Sequence, residues 1–375
     1  MPTYALGYNW SQSNHHSGAA AASKIKAWVA AAWEEAEEIG AQCPGAILVT
    51  HSAGGFVARA ACPSHGAASD VLAVFSTVMP TDGAPAAYKR FHFGFENSGW
   101  GFSRASIEGM VGYVVLGRQG ALVTALLGHM PGAQELLPNT RYVTNGGNRR
   151  WLQILIPERN FIGRQISGSE TYEDLPDSNP YTEIYRRGDR MWPAANPEWL
   201  SPEGMTGDAA DAFSAFQPHS QTAEAWHRKV VSDGDFHELT YLCHSNDARM
   251  ATFDHINWRP SMTGGSLGRS VDEDDVSLEL EDTPDYRREH LRTGVEEDKH
   301  ISGPLLGADR SMDPADAAGD RTVPVSSGRY ASAIARGRRT GHNPGYEHEA
   351  AIRGDTVTDW VRERMVEVLG NCGLY

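Results

Sequence analysis

Ala46-Ile47-Leu48-Val49-Thr50-His51-Ser52-Ala53-Gly54-Gly55 is the stretch on which the fold turns. The short apolar run reads as a strand, and it enters Ser-x-Gly-Gly and then the helical pattern of residues 54–61. That order is the sequence form of a nucleophile elbow, a sharp strand-to-helix turn that lifts a hydroxyl above a sheet. Small residues are expected two positions past the serine, where the two backbones approach and a Cβ would collide. Gly54 and Gly55 supply them, whereas Thr50 takes the place, two before the serine, where glycine is usual.

A serine nucleophile needs a base, and the base needs an orienting acid. Gly319-Asp320-Arg321-Thr322-Val323-Pro324 sets an aspartate in a loop, and Gly345-Tyr346-Glu347-His348-Glu349 sets a histidine in another. A helix follows His348, with Val357, Trp360, Val361, Arg364, Met365, Val368 and Leu369 at spacings of three and four and Gly370 as its stop. His342 is a rival to His348, but it lies farther from this helix. A zinc site from Asp254, His255 and His244 is a weaker reading of other residues.

Together these motifs resemble the lecithin:cholesterol acyltransferase-like branch of the α/β-hydrolases, which includes bacterial esterases and lipases. Tyr8-Asn9-Trp10, Pro80-Thr81-Asp82-Gly83-Ala84-Pro85 and Glu135-Leu136-Leu137-Pro138 add to the likeness, which covers residues 3–140 and 315–370. It implies an α/β-hydrolase fold, a mostly parallel sheet with helices on both faces and an inserted cap. It also implies a Ser52, Asp320 and His348 triad in the chain order of that fold. Ala53 then supplies one oxyanion N–H, and Asn9 is a weak substitute for the second. Arg321 stands where the family has a glycine. In the family, a strand ending in Pro-Gly precedes the Tyr8 segment and sits beside the serine strand; this N-terminal strand is expected to be absent here. Trp151 to Ile156 is the best candidate to fill its slot.

The 375 residues divide into a core part at 1–90, a cap at 91–235 and a second core part at 236–375 with an irregular excursion at 260–318. Strands are expected at Pro2 to Gly7, Val71 to Met79 and Phe236 to Cys243. A helix over 18–39, capped by Ser17 and ended by Gly40, would face the core with Ile25, Trp28, Val29, Ala32, Trp33, Ala36 and Ile39. Within the cap, residues 107–128 read as apolar helices.

A net charge of −15 without a basic tract argues against nucleic acid. The acidic runs at 272–275 and 296–298 lack calcium-loop spacing, and the four cysteines form no Cys-x-x-Cys pair. No cofactor or metal is expected. With no signal peptide or membrane span in view, the chain reads as cytoplasmic, with signal-less export or a missing leader as alternatives. The partner expected is a small-molecule or lipid ester, with transient contact to a lipid surface; composition leaves the oligomeric state open. The leading functional expectation is a serine esterase or lipase. The alternatives are a phospholipase or lipid O-acyltransferase, and a hydrolase-like protein impaired in its oxyanion hole.

Overall fold

The computed structural model describes residues 2–94, 120–159, 165–188, 192–201, 209–233, 236–260, 300–301, 310–312, 315, 317–334, 340–343 and 345–373. A four-stranded, all-parallel sheet carries the elbow. Its order is β1 (Ala46–His51), β2 (Val71–Thr77), β5 (Thr240–Ser245) and β11 (Thr340–Asn343). Two-sided burial explains the apolar sequence of β2. Val74, with Ala46 and Leu48 of β1, packs on α1 (Asn14–Glu38) and α2 (Gly54–Arg59). Ala73, Phe75 and Ile47 point the opposite way, toward Trp360 and Val368 of the last helix, α8 (Asp355–Asn371). The molecule is thus a mixed α/β protein with helices against both faces of a parallel sheet.

Several expectations at the amino-terminal side are corrected. Residues 2–9 form no strand. Instead Tyr4 stacks on Trp28, while Leu6 and Tyr8 pack against the same buried cluster, around Ile25, Val57 and Val74, that Val29 and Leu48 cover. Among the described residues β1 pairs only with β2, so it lies at the sheet edge and Val49 is 41% exposed. The first helix starts at Asn14 because Ser13, not Ser17, accepts the His15 N–H as its cap. Its burial stops at Ile25, so the expected core face from Trp28 onward is only partly covered and Trp33 stands half-exposed. The carboxyl end reads as expected. Gly40 takes φ +68°, its N–H bonds the Glu37 carbonyl and the Ala41 N–H bonds that of Ala36, a Schellman close. In α8, by contrast, the helix runs through Gly370, and Gly373 takes the left-handed turn.

Trp151 to Ile156 does not fill a slot beside β1. It begins β3 (Leu152–Arg159) of a separate five-stranded sheet, paired antiparallel to β4 (Gln165–Leu175) and parallel to β7 (Ile256–Pro260). β9 (Arg310–Met312) and β8 (His300–Ile301) extend this sheet beyond β7. Its aromatic core joins Trp151 and Trp258 to Tyr88 and Phe91 of α3 (Pro85–Phe93), and the Trp258 indole donates to the Tyr88 hydroxyl at 3.2 Å. A small antiparallel pair, β6 (Asp247–Thr252) with β10 (Ala317–Gly319), leads into the Asp320 loop. Ile107 to Leu116 and the acidic runs at 272–275 and 296–298 lie outside the described residues. α4 (Gly120–Leu127) closes the apolar stretch and is followed by α5 (Pro131–Gln134) and α6 (Ala209–Asp233); α7 (Val325–Ile334) follows the Asp320 loop.

Candidate functional site

Ser52 sits directly after β1 with φ +52°, a left-handed conformation that is sparsely populated for a residue with a Cβ. Two hydrogen bonds hold the turn: the Ser52 N–H donates to the Thr77 carbonyl at 2.9 Å, and the Gly55 N–H to the Ser52 carbonyl at 3.0 Å. Such strain persists only where the surroundings over-determine it. Here β2 clamps one side and α2 the other. The glycine requirement falls one residue later than expected. A Cβ on Gly54 would meet only the Thr50 Cβ, at an ordinary 3.6 Å, whereas one on Gly55 would lie 2.4 Å from the Met79 sulfur. Helix α2 is pressed against the end of the β2 segment at Gly55, not against the elbow strand at Gly54.

The other two candidates converge on this hydroxyl. His348 Nε2 is 2.8 Å from Ser52 Oγ, and its Nδ1 is 2.9 Å from Asp320 Oδ2. Asp320 and His348 are both buried. The second carboxylate oxygen of Asp320 accepts the backbone N–H groups of Thr322 (3.0 Å) and Val323 (2.6 Å). With one oxygen tied to its own loop, the carboxylate can turn only the other toward the ring. Arg321 adopts φ +73°, the backbone that glycine favours, so the loop turns in spite of the side chain. Its guanidinium lies 3.3 Å from Glu347, one residue before the histidine.

Burial disfavours charge on the His348 imidazole, but the Asp320 carboxylate, with help from Glu349, outweighs it; the pKa is raised above the ordinary imidazole value. A ring made more ready to accept a proton, with its orientation fixed by a carboxylate, suits a general base. His342 is not brought to this point by its backbone: it belongs to β11, opposite His244 of β5.

Ala53 is the N-cap of α2, where a helix leaves its first N–H groups without intrahelical partners. Asn9 is engaged in its own turn: its side-chain oxygen accepts from the Ser11 N–H and hydroxyl, and its carbonyl from Ser17. No hydrogen bond among the described residues ties Asn9 to Ser52.

Sequence reasoning missed two supports. One is His51, whose ring nitrogen lies 2.8 Å from the His348 carbonyl. The other is the mutual packing of three separated segments behind the elbow. Gly132 reaches the Ser11 carbonyl, Glu135 accepts from both the backbone and side chain of Asn14, and the Ala84 N–H donates to Leu136. The 80–85 loop also carries buried Asp82, whose N–H donates to Ser327 Oγ and whose carboxyl burial pushes up to about 6. No local pattern reports such contacts, because each partner lies far away in the chain.

Asp254, His255 and His244 do not form a metal centre. Both Asp254 carboxylate oxygens are taken, one by Tyr142 and Ser326 and the other by the Asn145 N–H. No group of three His, Cys, Asp or Glu suited to a metal occurs among the described residues. A polar cavity of about 440 Å³ opens beside Asp254, lined by Asn145, Arg150, Gln153, Asp174 and Asn257 among others. Its lining includes none of the three convergent side chains.

No known family profile matches the chain, and no curated protein matches it in sequence. Among solved structures it is similar to a chain in the crystal structure of the Tle4–Tli4 complex, at 24% identity and a TM-score of 0.67. The match covers 96% of this chain and 67% of the other. At that identity the likeness is one of architecture, a mixed α/β fold held in common.

Proposed function

We propose that the protein is a serine hydrolase that cleaves carboxylic esters on an α/β-hydrolase scaffold. The observation that carries this reading is the unbroken relay from Ser52 Oγ through His348 to Asp320, at 2.8 and 2.9 Å. The strained elbow and the likeness of its motifs to the lecithin:cholesterol acyltransferase-like branch support it. His348 takes the Ser52 proton as the hydroxyl attacks the ester carbonyl, and Asp320 stabilises the imidazolium. The Ala53 N–H, with a second donor, holds the oxyanion; each such donor is worth about 3 kcal/mol of barrier. The imidazolium then protonates the departing alcohol, and water, activated by the same ring, releases the acid.

Ser52→Ala is the test. Hydrolysis of a p-nitrophenyl ester should fall on the scale of roughly 10⁶-fold, and labelling by a fluorophosphonate probe should vanish. A Ser52→Ala protein that turns over the ester like the wild type overturns the proposal.

One observation favours the narrower reading of a lipase, phospholipase or lipid O-acyltransferase. On α4, Val123 and Leu127 are buried while Leu122 and Leu126, one turn apart, are exposed. This turn is apolar on its exposed as well as its buried side, and it lies in the segment read as a cap, where an apolar surface suits contact with lipid. A jump in activity when a long-chain ester passes from monomer to aggregate, lost in Leu122→Ser/Leu126→Ser, supports it. Equal rates on both forms would leave a plain esterase.

A further inference from the structure

His348 is held at more than its two ring nitrogens. Its N–H donates to the Asp320 carbonyl at 2.9 Å, and its own carbonyl lies 2.8 Å from Nε2 of His51. A carbonyl can only accept, so that nitrogen of His51 carries a proton and donates it. The two rings stand tilted, with centroids 5.3 Å apart. His51 is the last residue of β1, in register with Thr77 of β2. The donor is therefore mounted on the sheet itself, one residue before the candidate nucleophile.

We propose that His51 is a positioning residue, whose Nε2–H grips the His348 carbonyl and so references the loop bearing the base to the strand bearing the hydroxyl. The proposal rests on the reading of Ser52 as nucleophile. Its physical content is the frame it supplies. The bonds at Nδ1 and the backbone N–H of His348 both run to Asp320, which is itself on a loop. His51 adds a bond to a rigid element, and well-supported groups hold reacting atoms at the short separations that catalysis needs. Burial and the neighbouring His348 ring hold the His51 pKa down. It therefore tends to remain a neutral donor and adds no charge against the imidazolium.

Three substitutions test the position of the donor rather than the bulk of the side chain. Gln places an amide nitrogen where Nε2 stands, Asn places one nearer the backbone, at the level of Nδ1, and Leu has none. His51→Leu and His51→Asn should lower kcat by about ten- to a hundredfold, with KM within about twofold, because ring placement and not substrate binding is lost. His51→Gln should recover kcat to within about threefold of wild type. Three variants with equal kcat, or losses confined to KM, overturn the inference.

The low-field NMR signal of the proton between His348 Nδ1 and Asp320, recorded without substrate, gives a second readout. It should shift or broaden in His51→Leu and His51→Asn and return in His51→Gln; an unchanged signal in all three also overturns it. If the wild type neither hydrolyses esters nor reacts with the fluorophosphonate, the proposed function fails, and this signal alone decides whether His51 positions the ring.

Discussion

Asp320→Asn isolates the role of the acid without removing a single heavy atom. The outcome follows from the two oxygens having different duties. Oδ1 accepts two backbone N–H groups, from Thr322 and Val323, and a donor placed there would face two other donors. The amide must therefore put its oxygen toward the loop and its NH₂ toward His348 Nδ1. That nitrogen, 2.9 Å away, then has to accept, which moves the ring proton to Nε2, opposite Ser52 Oγ. The base is left facing the hydroxyl with its lone pair on the wrong side. Loss of tautomer control in such a relay lowers kcat by about 10⁴-fold, equivalent to about 5.4 kcal/mol of barrier. The loop keeps both of its backbone bonds, so folding should change little. Stopped-flow or steady-state hydrolysis of a p-nitrophenyl ester measures the first effect, and thermal unfolding the second. A variant with kcat within tenfold of wild type would refute the tautomer argument. A variant that is inactive because it unfolds well below wild type would refute the assignment of Oδ1.

Further predictions follow from the same geometry. The proposed mechanism requires neutral His348, and its pKa is raised, so log(kcat/KM) should begin to fall with acidification at a pH above the ordinary imidazole value of about 6.5. Glu349→Gln, removing a charge that raises the pKa, should move this limb to lower pH; a pH profile of both proteins checks it. Stability carries the opposite sign: charging His348 contributes to the fold fully below about pH 6.5, and the contribution is lost as pH rises through the folded-state value. Unfolding midpoints across that window, compared with His348→Gln, should show it. Gly55→Ala should destabilise by about 1–3 kcal/mol by driving a Cβ into Met79, whereas Gly54→Ala should be tolerated, because its Cβ meets only ordinary contact. Denaturant titration of the pair separates these sites. Arg321→Gly should keep the acid loop in place and hold activity near wild type, since φ +73° suits glycine; a large loss of kcat would show that the side chain itself is needed.

How much of the fold and site is legible in the chain depends on how local each cause is. The strand-serine-glycine run, the aspartate in its turn and the histidine before the last helix each lie within a few residues of sequence, and each marks its residue as a candidate. That Ser52 takes a left-handed φ is likewise implied by the turn itself. Pro2 to Gly7 satisfies a strand pattern and is no strand, because a strand exists only with a partner, and pairing is not written locally. The five-stranded sheet escapes a local reading for the same reason, since β3 draws its neighbours from residues 165–175 and 256–260. Ser17 resembles a helix cap as well as Ser13 does. Only the path of residues 9–13, with Asn9 accepting from Ser17, decides between them. The tether from His51 to His348 joins positions 297 residues apart, and no periodicity reports that.

The distance along the chain between the elbow and His348 also bears on how the protein is made. A ribosome releases the amino-terminal part first, at roughly 5–20 residues per second. Ser52 therefore emerges well before His348, since the hydrogen bond between them spans 296 positions. At that rate of synthesis the interval is roughly 15–60 seconds. During it the nascent chain carries Ser52 without its proposed base, as does any product terminated before His348, and the proposed reactive centre can assemble only after the histidine has left the ribosome.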